Sequence, residues 1–278
     1  MNKSIFSVFL LCVFAHTFVH AQKGIELGGW LGAATYYGDL KPKLNLDNVR
    51  PAGGIIFRHN FNNRISYKGS LNYMRLSAED SDATNTFQQT RNLSFFSDIY
   101  DMSHQMEFNF LPFNHGSEVD FYTPYLFGGL SSFFYNPKAK IDFNQDGTNE
   151  VYTLRNLGTE GQILGGEYGR FSMAVNFGIG LKFDINVDWS INIEFMGRST
   201  FTDYLDDVST VYPDRNRLSE LRGEIAVALS DRSDPSLDIA ATGNQRGNAR
   251  DRDYIYTFGI SIMRFFGQLP CPKVSKNR

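Results

Sequence analysis

The chain has 278 residues, a formal net charge of −3 and a sequence pI near 6.0, which excludes the basic excess that nucleic-acid binding needs. Its mean hydropathy of −0.31 is that of a soluble protein, and no apolar run beyond the N-terminus approaches the ~20 residues of a transmembrane helix. Neither measure excludes a membrane barrel, because only half of each barrel strand is apolar.

The first residues set the compartment. Met1 to Lys3 carries a positive charge, Ile5 to Val19 is almost wholly apolar, and Val19, His20 and Ala21 form a cleavage site before Gln22. Residues 1–21 therefore read as a signal peptide, and 22–278 as the mature chain, one domain. Phe9, Leu10 and Leu11 precede Cys12, so no lipoprotein signal is present. The mature chain keeps Cys271 alone, which rules out an intrachain disulfide and leaves a thiol for a partner or an unpaired tail.

Eight alternating stretches follow in chain order. The first, Lys23 to Tyr36, sets Ile25, Leu27, Leu31 and Ala33 against Glu26, Trp30 and glycines. The second, Pro51 to His59, is glycine-rich, as a tightly curved wall allows, and the polar turn Asn60 to Arg64 leads to the third, Ile65 to Arg75. A long polar segment, Leu76 to Asp98, precedes the fourth, Ile99 to Leu111, where Met102, His104, Met106, Phe108 and Phe110 point outward and Ser103, Gln105, Glu107 and Asn109 inward. After Phe113 to Asp120 comes the fifth, Phe121 to Tyr135, aromatic at both ends like an interfacial girdle. Asn136 to Arg170 is a long loop. The sixth, Phe171 to Phe183, alternates without a break, with seven apolar side chains from Phe171 to Phe183 against Ser172, Ala174, Asn176, Gly178, Gly180 and Lys182. Asp184 to Asp188 turns into the seventh, in which Trp189, Ile191, Ile193 and Phe195 oppose Ser190, Asn192 and Glu194. A loop of about 50 residues, a length usually functional or disordered, reaches the eighth, Tyr254 to Phe266.

Short and long connections alternate, and bacterial barrels keep short turns in the periplasm and long loops outside. The fold expected is all-β: an eight-stranded antiparallel transmembrane barrel of the outer membrane with both termini periplasmic. Side chains fill the interior of a barrel this narrow, so a channel is disfavoured. Glu26, Lys68, Glu107, Lys182, Glu194 and Arg198 point inward, and charges so confined have to be paired.

Catalytic chemistry finds little support. Mature histidines are His59 and His115 on the turn side and His104 on the lipid side, so an enzyme at the outer rim has no histidine base. Asp203, Asp206 and Asp207 read as loop carboxylates or turn caps. Asp142, Asn144, Asp146 and Gly147 open like a calcium loop, but Thr153 stands where a bidentate Glu belongs, and only Glu150 is near; a calcium site and a plain polar turn both remain open. No cofactor or small-molecule substrate is expected.

Several blocks in one order carry a family resemblance: Thr35 to Leu40 (TYYGDL), Tyr135 to Ala139 (YNPKA), Leu157 to Gln162 (LGTEGQ), Thr200 to Val208 (TFTDYLDDV), Leu229 to Arg232 (LSDR) and Arg246 to Asn248 (RGN). Together they resemble the PorG-like outer-membrane barrels of the type IX secretion system. The resemblance implies a noncatalytic barrel that tethers a periplasmic ring, a lipoprotein and its partner of the PorK/PorN type, for protein export and, in gliding relatives, motility.

On that reading the contact surface is the turn side. Its candidates are Asn60, Asn62, Asn63, Arg64, Asn114, His115, Asn186 and Asp188, with Cys271 and Lys273 in a tail that also carries Lys276 and Arg278. The extracellular carboxylates Asp203, Asp206 and Asp207 are expected to meet Arg198, Arg215 or Arg232 in a salt-bridged cap over the mouth. The alternative is a barrel whose long loops bind a surface ligand; a rim-active enzyme is the weakest reading.

Overall fold

A computed structural model of the protein describes residues 24–43 and 48–267. The signal-peptide reading and the tail positions Cys271, Lys273, Lys276 and Arg278 lie outside the described residues.

Eight strands form the wall: β1 (Gly24–Tyr37), β2 (Arg50–Asn60), β3 (Ile65–Glu79), β4 (Ser94–Asn109), β5 (Tyr122–Phe134), then, after a small hairpin of β6 (Lys138–Ile141) and β7 (Glu150–Thr153), β8 (Phe171–Asn186), β9 (Trp189–Thr200) and β10 (Tyr254–Gly267). Each wall strand pairs antiparallel with its neighbour in the chain, β5 passes to β8 across the hairpin, and β1 pairs with β10 from Gly24↔Gly267 to Tyr37↔Tyr254. The sheet closes, so no wall strand leaves an edge unpaired, as hydrocarbon surroundings require. Both ends of the described chain sit at the end of the barrel that carries the short turns.

Alternation decides which side chains meet the outside. Along β8 the residues Phe171, Met173, Val175, Phe177, Ile179, Leu181 and Phe183 are all exposed, whereas Ala174, Asn176 and Lys182 are buried. The same holds around the wall, with Ile25, Leu27 and Leu31 on β1, Met102, Met106 and Phe108 on β4, and Phe258, Ile260 and Ile262 on β10. Two aromatic rings bound this belt. Tyr73–Tyr100, Phe134–Phe171 and Tyr254–Tyr256 mark the long-loop side, and Phe108–Phe110 and Phe121–Tyr122 the short-turn side. From Tyr256 to Phe266 is about ten residues, which at about 3.3 Å per residue and a tilt near 40° gives a band roughly 25 Å tall.

The structure revises the loops. The segment Leu76–Asp98 was expected to be irregular; instead β3 and β4 continue past the membrane band and stay paired to Glu79↔Ser94, leaving only a 3₁₀ turn at Asp80–Asp82 and α1 (Thr86–Arg91) between them. The reason is burial: Leu76, Ala78 and Phe95 point inward and join Tyr36, Leu40, Leu93, Tyr135 and Leu205 in an apolar core above the barrel mouth. Short helices α2 (Leu154–Leu157), α3 (Arg215–Arg222) and α4 (Glu224–Ser230) complete the long loops, and α2 and α4 add Leu154 and Leu229 to that core. The loops form one packed cap on an otherwise β chain.

Candidate functional site

Three structures determine what this barrel can do: the charge cluster in its lumen, the floor at its short-turn end and the cap at its long-loop end.

The lumen cluster is centred on Arg58, which is 0% exposed. Its guanidinium lies 2.8 Å from Glu26 and 2.8 Å from Glu107, and 4.0 Å from Glu194. Lys68 bonds Glu194 at 2.7 Å, and Lys182 bonds Glu107 at 2.6 Å. Tyr125 donates its hydroxyl to Glu194 and Asn60 its amide to Glu26. Three cations thus face three carboxylates, and the group is neutral. Arg198 pairs separately with Asp101 at 3.5 Å and bonds Thr257. The void next to the cluster is about 20 Å³, room for about one water.

The sequence reading placed Glu26, Lys68, Glu107, Lys182, Glu194 and Arg198 inward, and they are inward. It missed the hub. Strand parity was the available signal, because Arg58 shares its face with Ala52, Ile56 and Asn60, all buried.

The floor is built by the segment between β4 and β5. Phe113 bonds back to the Asn63 carbonyl, Gly116 (φ 74°) turns the chain, and His115 projects into the barrel. Its ring stacks on Phe265 at 4.3 Å, meets Asp184 at 2.8 Å through Nδ1, and lies 3.4 Å from Glu26 through Nε2. Burial opposes the charged imidazolium, but the bonds to Asp184 and Glu26 outweigh it and raise the pKa above the ordinary value. Asn60 and His115, expected on a contact surface, are instead buried in this floor, since each satisfies Glu26. Among the other candidates, Asn62 and Asn186 accept backbone N–H groups within their turns, Arg64 donates to the Phe110 carbonyl, Asn63 offers its carbonyl to Phe113, and Asn114 bonds Asp120. Asp188 is exposed, beside Val187, and Val119 is the most exposed apolar side chain of this end at 81%.

The cap explains the sequence blocks. In the run Thr200 to Val208, Leu205 and Val208 enter the apolar core, Tyr204 stacks on Tyr168 at 4.6 Å, and Asp203 accepts from Ser209 at 2.6 Å. Asp207 (φ 71°) accepts the hydroxyls of Thr159 and Tyr168. The expected partners do not meet these carboxylates: Arg198 is in the lumen with Asp101, Arg215 bonds Asp231, and Arg232 donates to Ser94. Arg246 takes their place. It is 2% exposed, lies 3.1 Å from Glu160 and 3.7 Å from Asp207, and donates to the carbonyls of Asp207 and Ser230. Arg91, with Asp80 at 2.7 Å, donates to the Arg246 carbonyl and so links the β3–β4 loop to the final one.

Beside them, Tyr36 Oη lies 2.6 Å from Asp206 and 2.9 Å from Asp253. A phenol has one proton to donate, so a proton held on Asp206 or Asp253 would let both contacts be full hydrogen bonds. Burial raises both carboxyl pKa values well above normal, Asp39 adding to the shift at Asp206 and Asp206 to that at Asp253. Burial also moves Asp207 up to about 6 against the pull of Arg246, and Asp203 to about 7. The Asp142 turn is an exposed hairpin tip between β6 and β7, where Asp142 accepts the N–H groups of Asp146 and Gly147. No cluster of three or more metal-type ligands occurs among the described residues.

A closed eight-stranded barrel with an apolar outer belt, two aromatic rings and a sealed polar lumen is an outer-membrane β-barrel. Residues 3–228 match the family described as Domain of unknown function (DUF6089), and the chain belongs to it. Solved structures similar to this chain include the outer membrane protein OprG from Pseudomonas aeruginosa, at 7% identity over 90% of this chain and 98% of that one with a TM-score of 0.44. Neisserial surface protein A (NspA) is 8% identical over 87% of this chain and 97% of that one, TM-score 0.43. The N-terminal β-barrel domain of Pseudomonas aeruginosa OprF is 10% identical over 89% and 100%, TM-score 0.36. No curated protein matches the chain.

Proposed function

We propose that this protein is a noncatalytic outer-membrane anchor whose short-turn end, turned to the periplasm together with both termini, holds the periplasmic ring of a type IX secretion system, a lipoprotein and its partner of the PorK/PorN type. The observation that carries the reading is the closure of the barrel at three levels. A lumen filled by a neutral ion cluster, a floor closed by His115 and a cap packed around Arg246 favour work at the outer surfaces over transport through the barrel. The PorG-like sequence blocks supply the particular partner. Most of them build the cap, in which Asp206, Asp207, Arg246 and Leu205 are buried, so they account for cap stability and leave contact to the turns.

A noncatalytic role fits the distribution of bases. The described histidines are His59 and His104 on the outer wall and His115 in the floor, and of the cap carboxylates with raised pKa values Asp206, Asp207 and Asp253 are buried against protein, while Asp203 is half-buried and held by the Ser209 hydroxyl. The test is a pull-down of the tagged barrel from detergent-solubilised outer membranes. Recovery of a periplasmic lipoprotein, lost when Arg64, Val119 and Asp188 are changed together, supports the anchor; recovery of the barrel alone from cells that contain the ring proteins refutes it.

A second reading rests on one observation. Ile163 and Leu164, 62% and 67% exposed, form an apolar tip on the long loop before β8, closed by the Gly166 N–H to Ile163 carbonyl bond. An extracellular ligand would meet this tip, and replacing both by Ser would then abolish surface binding while leaving any ring contact intact.

A further inference from the structure

We propose that the outer wall carries a phospholipid site, with the acyl chains lying in a furrow across β10, β1 and β2 and the phosphate paired with Arg264. Three observations lead there. The first is a glycine the barrel does not need. On β1, Gly28 and Gly32 face inward, and a Cβ at either would fall about 2 Å from a carbonyl oxygen of β10, at 2.0 Å from Ile262 and 2.1 Å from Phe258. Gly29 faces outward, has no left-handed backbone, and a Cβ there would meet only the Gly54 carbonyl at 3.4 Å. Internal packing admits a side chain at Gly29. Its absence deepens a broad, open outer furrow of about 1200 Å³ that runs over Gly29 and Gly53.

The second is the furrow's polarity. Its walls are apolar, with Leu31, Ile55 and Ile262 exposed at 78%, 63% and 51%, and Arg264 lies at the end nearest the short turns. The third is the environment of that cation. Arg264 points to the lipid side, its register partners are Trp189 and Leu27, and its guanidinium lies 5.8 Å from the Trp189 ring and 5.2 Å from Phe266. No carboxylate forms an ion pair with it among the described residues. An interfacial arginine reaching toward headgroups accounts for the cation alone. A cation placed at one end of an apolar furrow accounts for more, because it matches both parts of a phospholipid: the phosphate takes the bidentate guanidinium and the chains fill the space over Gly29.

The experiment titrates delipidated, detergent-held barrel with dipalmitoyl phosphatidylglycerol and counts bound lipid by native mass spectrometry, with folding checked by heat-modifiable gel migration. The wild type is expected to hold one lipid tightly. Arg264→Gln is expected to weaken binding roughly tenfold, the loss of a charge-assisted pair, and Gly29→Leu to weaken it measurably by raising the furrow floor where the chains lie. Dipalmitoylglycerol, with the same chains and no phosphate, is expected to bind wild type no better than phosphatidylglycerol binds Arg264→Gln. Gly128→Leu serves as the control: it adds the same side chain to the outer face of β5 across the barrel, where a Cβ meets only the Asn176 carbonyl at 3.6 Å, and it should bind like wild type. Unweakened binding in either the Arg264 or the Gly29 variant, an equal loss in Gly128→Leu, or no stoichiometric lipid on the wild type overturns the proposal.

Discussion

Replacing Arg58 by Met tests whether the lumen cluster is a balanced unit. The side chain is 0% exposed and meets Glu26 and Glu107 at 2.8 Å each. Removing it takes one of the three cations from Glu26, Glu107 and Glu194, leaving Lys68, Lys182 and the shared contact of Glu26 with His115 at 3.4 Å. Breaking a buried ion pair from one side costs about 3–5 kcal/mol, mostly the penalty of the stranded charge. The double variant Arg58→Met, Glu107→Gln restores neutrality, with Lys68 on Glu194 and Lys182 left near Glu26. It should recover about 1–3 kcal/mol relative to additivity, a coupling typical of residues in one network. Urea unfolding in detergent micelles, followed by fluorescence, reads this directly. Trp30 faces the lumen and donates its indole N–H to Asn72 at 2.8 Å, so it reports on the interior. Wild-type stability in Arg58→Met, or a double variant no better than the sum of its parts, would refute the balanced-cluster argument.

Other expectations concern the two ends. Arg246→Met should cost about 3–5 kcal/mol of cap stability by stranding Glu160 and Asp207, seen as faster proteolysis within residues 201–253 while the wall keeps its heat-modifiable migration. Because burial raises the pKa of Asp207 to about 6 from an ordinary 3.8, its contribution is complete below about pH 4 and is lost as pH rises through 6; about two units correspond to about 3 kcal/mol, so the exchange protection of cap amides, corrected for the intrinsic rate at each pH, should be greater at pH 5 than at pH 8. Asp253→Asn should be neutral at pH 5 and stabilising at pH 8, since the amide can donate to Tyr36, let Tyr36 donate to Asp206 and still accept from the Leu205 N–H; a destabilised variant at pH 8 would contradict the shared proton. The raised pKa of His115 works in the same sense, its stabilisation being complete below about pH 6.5 and lost above the folded value, so protection factors across residues 110–121, corrected for intrinsic exchange, should fall as pH rises, and His115→Gln should remove that fall.

The wall was legible because its physics is local. Every second residue of Phe171–Phe183 meets lipid, and period-two alternation records this without knowledge of the neighbours. The cap was not legible for the same reason. Leu76, Ala78 and Phe95 extend β3 and β4 only because Leu205 and Leu229, more than a hundred residues away in the chain, cover them, and polar neighbours such as Ser77 and Asp80 made the stretch read as loop. The acidic block Asp203, Asp206 and Asp207 was recognisable as a cap element, but its cation was not. Arg246 and Arg91 come from other loops; the RGN block marks Arg246 as it marks no residue near Arg215, but no local pattern pairs either arginine with these carboxylates. Arg58 was missed although parity marks it, because Gly53 and Gly54 break the alternation early in the strand that carries it. Asn60 and His115 were assigned to the surface on the strength of lying in turns, whereas the need to satisfy Glu26 draws both inward.

The anchor reading turns on which end of the barrel touches the ring. Photo-crosslinkable residues placed singly at Val119 and Asp188 on the short-turn end, and at Asp146 on the tip of the β6–β7 hairpin, decide this in living cells. The account predicts crosslinks from Val119 and Asp188 to a periplasmic lipoprotein and none from Asp146. A lipoprotein crosslinked from Asp146 alone, or from no position in cells that assemble the ring, would contradict it.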